Sequence, residues 1–272
     1  MDLSEKRYRE ILSESRRIVV KVGSRVIVSK SGCPELKYLT SLADQVAKLR
    51  EKGYDVILVS SGAVAAGMEA LGIKERPTLL SDQQMCAAVG QARLIAQYEQ
   101  LFLARKVNIG QVLLTHADFQ NRLRLANARR TFDHLLRAGV VPIVNENDVV
   151  ADEELKAGMS FGDNDYLAAL VTKLTRADLL CILSTVDGLL DMSAKSPMRI
   201  PLIEKLDSSA FKLVCPIKNA LSKGGMDSKL KSAGIAVKAG SSVVIAGGRN
   251  RNVLTRIVAG EDEGTLILSA PF

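Results

Sequence analysis

The chain has 272 residues, of which 47% are apolar, 25% charged and only 4% aromatic. That balance is the balance of a folded globular protein and excludes disorder, collagen and coiled coil as readings of the whole. A surplus of 37 basic over 30 acidic side chains leaves +7 at pH 7. This favours anionic partners without choosing among nucleotides, small acids, nucleic acid and membrane surfaces.

In chain order, residues 18–22 form a short, β-branched, continuous apolar run, as a strand covered on both faces does. Runs of the same kind recur at 56–59, 111–114, 140–144, 179–183 and 242–246. A last run at 265–268 reads as an edge strand. Between them, apolar residues at three- and four-residue spacing predict helices over 34–52, 63–71, 81–105, 121–138, 164–175 and 226–239. Gly53, Gly139 and Gly240 stand where three of these helices should stop. The segment 193–222, with Pro197, Pro201 and Pro216, reads as a surface excursion. Strand–helix alternation with right-handed crossovers predicts an α/β fold, a mostly parallel sheet with helices on both faces. The length allows one large domain or two small ones, at ~100–200 residues per domain.

The start of the chain is charged and lacks an apolar h-region, so no signal peptide is expected. No apolar stretch approaches the ~20 residues that cross a bilayer. Cys33, Cys86, Cys181 and Cys215 lie at least 34 positions apart, which excludes a C-x-x-C pair and a zinc knuckle. A reducing cytoplasm is the expected compartment.

Several motifs fail. The chain contains no Gly-Lys dipeptide and no G-x-G, so the P-loop, the dinucleotide fingerprint and the kinase glycine loop are absent. Gly158-Met159-Ser160-Phe161-Gly162 matches the nucleophile elbow, but His116 and His134 both lie upstream of it, against the order a serine hydrolase needs. The two histidines lack metal-ligand spacing, and no protein-held metal is expected. Arg122, Arg124, Arg129 and Arg130 could contact phosphate backbones, yet with few aromatics to stack bases they read first as a solvated helix face.

Four segments place small or polar residues at predicted strand ends, where open α/β sheets bind ligands. Lys21 lies inside an apolar strand and needs a partner for its ammonium; Gly23 follows it. Ser60-Ser61-Gly62 opens a helix whose first amides favour an anion, although Ser60 or Ser61 could serve simply as its cap. The acidic–amide cluster ending at Asp148 and the cluster holding Asn164 and Asp165 suit an ammonium group, a Mg²⁺ complex or lysine partners. Gly224 and Gly225 free the backbone to wrap a polyphosphate, and Lys229 emerges in the first turn of a helix. A cation there opposes the helix dipole and calls for an anion, which an ATP phosphate would supply. Together the parts fit phosphoryl transfer, which depends on positive charge and placement.

These residues resemble the amino acid kinase family, and within it the branch acting on glutamate. The carrying strings are VVKVGS at 19–24, VSSGAVAAGM at 59–68, VGQARL at 89–94, VVPIVNENDVVA at 140–151, FGDNDYLAALV at 161–171 and GGMDSKL at 224–230. The resemblance runs from about residue 18 to 268 and implies a three-layer αβα sandwich. It implies ATP-dependent phosphorylation of the γ-carboxylate of L-glutamate, the first step towards proline, with Mg²⁺ accompanying ATP. Lys21 and Lys229 would neutralise the transferring phosphoryl, and Asp165 would hold them. Gly23, Ser61, Gly62, Asp148 and Asn164 would bind glutamate. Lys21, Ser184, Thr185, Lys223, Gly224, Gly225, Met226, Asp227, Ser228 and Lys229 would bind ATP. The expected organisation is one kinase domain over 1–272, its N-terminal part for glutamate and its C-terminal part for ATP, without a C-terminal PUA domain. A cytoplasmic homo-oligomer, dimer or tetramer, is implied, with no membrane or nucleic-acid partner. Ser184-Thr185 departs from the Thr-Asp common in the family.

Overall fold

The computed structural model describes residues 3–28, 35–150, 164–192, 196–214 and 226–269. The chain runs α1 (Leu3–Glu14), β1 (Arg17–Val22), the short α2 (Ser24–Ile27), α3 (Leu36–Glu51), β2 (Asp55–Val59), α4 (Ala63–Leu71) and α5 (Leu80–Leu103). It continues through β3 (Ile109–Leu114), α6 (His116–Gln120), α7 (Arg122–Arg137), β4 (Val141–Glu146) and a 3₁₀ turn at Asp148–Val150. Then come α8 (Asn164–Thr175), β5 (Leu179–Ser184), a hairpin of β6 (Leu190–Asp191) and β7 (Met198–Arg199), and β8 (Leu202–Ile203). Last are α9 (Ser208–Val214), α10 (Met226–Lys238), β9 (Ser242–Gly247), α11 (Val253–Val258) and β10 (Thr265–Ile267).

Eight strands form one sheet in the order β3-β4-β2-β1-β5-β9-β10-β8. Every pairing in it is parallel except β9 with β10. Alternate residues of each central strand point to opposite faces, which explains the continuous apolar runs. Ile18, Val20 and Val22 meet Leu39 and Leu42 of α3, Tyr98 of α5 and Leu254 of α11 on one face. Val19, Ile57 and Ile182 meet Phe132 of α7, Val171 of α8 and Leu230 of α10 on the other. The result is the expected three-layer αβα sandwich. Among the described residues no helix is long and apolar enough to cross a membrane.

The structure departs from the sequence reading in two places and forms a helix at the N-terminus that the reading did not assign. Residues 265–267 form an interior strand: β10 lies between β9 and β8 and is fully buried. Part of 193–222 joins the sheet, because Pro201 and Ile203 accept the Leu266 and Leu268 N–H groups at 3.0 Å. Prolines are tolerated there because β8 is the outermost strand. The charged N-terminus forms α1, whose buried Arg9 donates to the carbonyls of Glu261, Glu263 and Pro201 at 2.9–3.1 Å and so ties the first helix to the turn before β10. Gly53, Gly139 and Gly240 end their helices at φ of 85°, 75° and 90°, the left-handed geometry that favours glycine.

Candidate active site

Strand register assembles the site. Lys21 of β1 lies level with Val59 of β2 on one side and Ile182 of β5 on the other, and Val59 lies level with Val144 of β4. The residues just past those points, Ser60-Ser61-Gly62, Asn145 and Ser184, therefore emerge together at the carboxyl edge of the sheet. The Asp148–Val150 turn follows β4 at the same edge. Asn164 and Asp165 open α8, and Met226 to Lys229 open α10.

Asp165 is fully buried and binds both lysines. Its Oδ1 lies 2.6 Å from Lys21 Nζ and its Oδ2 lies 2.8 Å from Lys229 Nζ. Burial pushes the Asp165 carboxyl up, but the charges and hydrogen bonds of Lys21 and Lys229 outweigh burial and hold it below the usual carboxylate range. One anion thus clamps two cations that are 208 positions apart, and the cluster carries a net positive charge toward the sheet edge. Asp165 supplies an anion to Lys229 at that helix N-terminus, the partner that the resemblance implied. With its folded pKa lowered, Asp165 contributes stability above the unfolded value of about 3.9, and that contribution is lost as pH falls through the folded pKa. A ¹³C-carboxylate NMR titration is expected to find Asp165 still ionised at pH 3.8, where an ordinary Asp is half protonated. Half-protonation at that pH or above would contradict the clamp.

Beside the clamp lies a neutral polar network. Asn164 Nδ2 donates to Ser61 Oγ and to Asn145 Oδ1, each at 2.9 Å, and to the Ser60 carbonyl. Asn145 Nδ2 donates to Gln91 Oε1 at 2.8 Å. Ser60 Oγ lies 3.0 Å from the Tyr98 hydroxyl, whose pKa burial raises to about 12 against the opposing pull of Ser60, so it stays neutral. Gln91 and Tyr98 are seven positions apart and share a face of α5. That helix crosses α4 at two glycines: a Cβ on Gly90 would overlap the Ala63 carbonyl, and one on Gly67 would overlap the Cys86 carbonyl.

The predicted residues fall out unevenly. Lys21, Asp165 and Lys229 meet directly, as do Ser61 and Asn164. Gly62, at φ 100°, is itself the cap of α4, and no side chain caps that helix. Ser61 is thereby free to bond Asn164. Gly23 N–H donates to Leu183 O at 3.1 Å, so this amide stitches β1 to β5 and is not available to a ligand. Asp148 is half-buried in its turn, Ser184 half-buried and Thr185 exposed. Asp227 pairs with Lys231 at 2.7 Å on its own helix, while Met226 packs on the core and Ser228 is half-buried in the first turn. Lys223, Gly224, Gly225 and the Gly158–Gly162 elbow, with Ser160, lie outside the described residues. Arg124 pairs with Asp118 at 3.1 Å, Arg129 with the Leu174 carbonyl and Arg130 with Asn127, so much of the basic cluster is engaged within the protein. His116 stacks on Tyr166 with ring centroids 5.7 Å apart, and His134 is exposed. Sequence reasoning gave no individual role to Gln91, Tyr98 or Asn145; an Asn at the end of an apolar strand was the available signal.

A family model described as the amino acid kinase family matches residues 16–247. The chain belongs to that family. Among amino acid kinase relatives, it is 42% identical to the glutamate 5-kinase of Citrifermentans bemidjiense over 265 residues, 96% of this chain and 70% of that protein. It is 44% identical to the glutamate 5-kinase of Nitrosococcus oceani over 263 residues, 96% of this chain and 69% of that one. A solved carbamate kinase from Giardia lamblia bound to AMP-PNP superposes with a TM-score of 0.66 at 17% identity, covering 95% of this chain and all of that one. At that identity it speaks for the fold alone. The sandwich and its parallel sheet are the amino acid kinase architecture.

Proposed function

We propose that this chain transfers the γ-phosphoryl group of ATP to the γ-carboxylate of L-glutamate, giving γ-glutamyl phosphate and ADP, the first step towards proline. The observation that carries the reading is the buried Asp165 holding Lys21 and Lys229 at one point of the sheet edge. A carboxylate oxygen attacking a phosphoryl group brings two anions together. Fixed ammonium groups offset that repulsion and stabilise the charge that builds on the transferring group. Asp165 holds both ammonium groups in place and aims them.

Glutamate is assigned to the N-terminal side of the edge. Ser61, Asn164 and the first amides of α4 after Gly62 suit its carboxylates, and Asp148 suits its ammonium. The nucleotide is assigned to the C-terminal side, along Ser184, Thr185 and the opening of α10, with Lys223, Gly224 and Gly225, which precede α10 in the chain. Mg²⁺ is assigned to the nucleotide's own phosphates, where it would offset their charge. Both Asp165 oxygens are taken by lysines, and the described residues contain no group of three or more His, Cys, Asp or Glu side chains placed to hold a metal. A cytoplasmic homo-oligomer, dimer or tetramer, and a single kinase domain belong to the same reading.

An ATP-consumption assay run in parallel with glutamate, aspartate, acetylglutamate and UMP tests the substrate. ADP release is expected with glutamate; turnover of another acceptor in its place would overturn the assignment. Asp148→Ala is expected to raise KM for glutamate about tenfold or more, with kcat and the KM for ATP little changed. An unaltered glutamate KM would remove Asp148 from the pocket.

A further inference from the structure

We propose that Gln91 is a positioning residue for the glutamate pocket, acting from α5 through Asn145 on Asn164. The inference rests on the glutamate reading of that pocket. It starts from the direction of three amides. Asn164 Nδ2 shares its two N–H groups among the Ser60 carbonyl, Ser61 Oγ and Asn145 Oδ1, and since the carbonyl can only accept, it is the nitrogen of Asn164 that faces all three. Asn145 must then present its oxygen to Asn164 and its nitrogen to the other side. That nitrogen meets Gln91 Oε1 at 2.8 Å. Asn145 and Asn164 are both buried, so neither amide can turn to water for a substitute partner. Gln91 is the outermost member of the chain and comes from a different helix.

The placement of Gln91 is itself rigid. Gly90 lets α5 sit against the backbone of α4, so the glutamine backbone is held at a fixed distance from the strand ends. The VGQARL string thus contributes a glycine that sets the helix distance and a glutamine that sets an amide orientation. Loss of the Gln91 oxygen leaves the Asn145 N–H without its acceptor in a buried place. Asn145 then rotates to recover a bond and releases Asn164, which lies beside Ser61. The lysine clamp keeps its own contacts, because Lys21 and Lys229 each hold one oxygen of Asp165 and neither contact passes through Gln91 or Asn145.

Gln91→Met keeps length and bulk but removes the acceptor. It is expected to raise KM for glutamate about tenfold, with kcat and the KM for ATP within about twofold, the size that follows loss of one buried hydrogen-bond partner. In an Asn145→Ala background the same change is expected to add less than about twofold, because its route is gone. An unchanged glutamate KM, an undiminished effect in the Asn145→Ala background, or a parallel fall in kcat would each overturn the proposal. Side-chain amide NMR gives a readout independent of turnover: the Asn145 and Asn164 NH₂ resonances should shift together in Gln91→Met. Unmoved resonances would overturn the relay. Failure of the unmodified chain to phosphorylate glutamate would instead overturn the substrate reading, with the resonances still reporting on the relay.

Discussion

Lys229→Met is expected to lower kcat about 10²–10³-fold while the protein stays folded, the loss that follows removal of one preorganised charge donor. Lys229 sits at the start of α10 with 13% of its side chain exposed, so methionine can occupy the space without opening the core. Asp165 keeps its second partner, Lys21, at 2.6 Å and remains ionised. The companion change, Lys21→Met, strikes deeper. Lys21 is buried in β1 between β2 and β5. Its loss should reduce turnover at least as much and also destabilise the fold, since breaking a buried pair costs about 3–5 kcal/mol. Steady-state kinetics at saturating glutamate and ATP, with circular-dichroism melts of both variants, separate the two effects. A Lys229→Met enzyme with unchanged kcat would remove that lysine from the chemistry.

Gly90→Ala is expected to be, with Gly67→Ala, among the most damaging small substitutions away from the reacting groups. The added methyl would overlap the Ala63 carbonyl oxygen and the Gly67 amide nitrogen, which are backbone atoms that cannot rotate aside. Relief requires α4 and α5 to separate. Overpacking of this kind costs about 3 kcal/mol or more, or roughly 10 °C in Tm for a chain of this size. The same separation would carry Gln91 and Tyr98 away from Asn145 and Ser60. Gly234→Ala is the control. Gly234 is also helical, but its nearest neighbour, Leu206 Cδ2, would be 3.7 Å from the new methyl. Alanine there should leave Tm unchanged or raise it, by helix propensity alone. Equal Tm values for the two variants would mean that the α4–α5 crossing tolerates separation.

Much of the architecture was legible in local pattern. Residues 18–22, 56–59 and 179–183 announced buried strands because both faces of each strand are covered, which makes every position apolar. Lys21 stood out because a lysine there must find a partner. Asp165 stood out as part of an acidic–amide cluster at a helix start, which calls for partners. Other features depended on contacts that no local pattern encodes. Whether Ser61 caps its own helix or bonds Asn164 was decided by the helix boundary: Gly62 takes the cap position at positive φ, no side chain caps α4, and Ser61 Oγ accepts from Asn164. The Gly23 amide was read as a ligand donor, yet β5 brings the Leu183 carbonyl to it.

Sequence by itself determined the class of fold and marked Lys21 and the acidic–amide clusters as costly to bury, because burial and charge impose costs that apolar runs reveal; the joining of Lys21 and Lys229 through Asp165 was implied by the family resemblance. Tertiary structure alone decided which strands neighbour one another and which oxygen of Asp165 each lysine takes. It also decided that α5 reaches across to orient the amides beside Ser61. Those outcomes depend on register and on the close approach of helices at glycines. Both are long-range geometric facts, set by packing among residues tens to hundreds of positions apart.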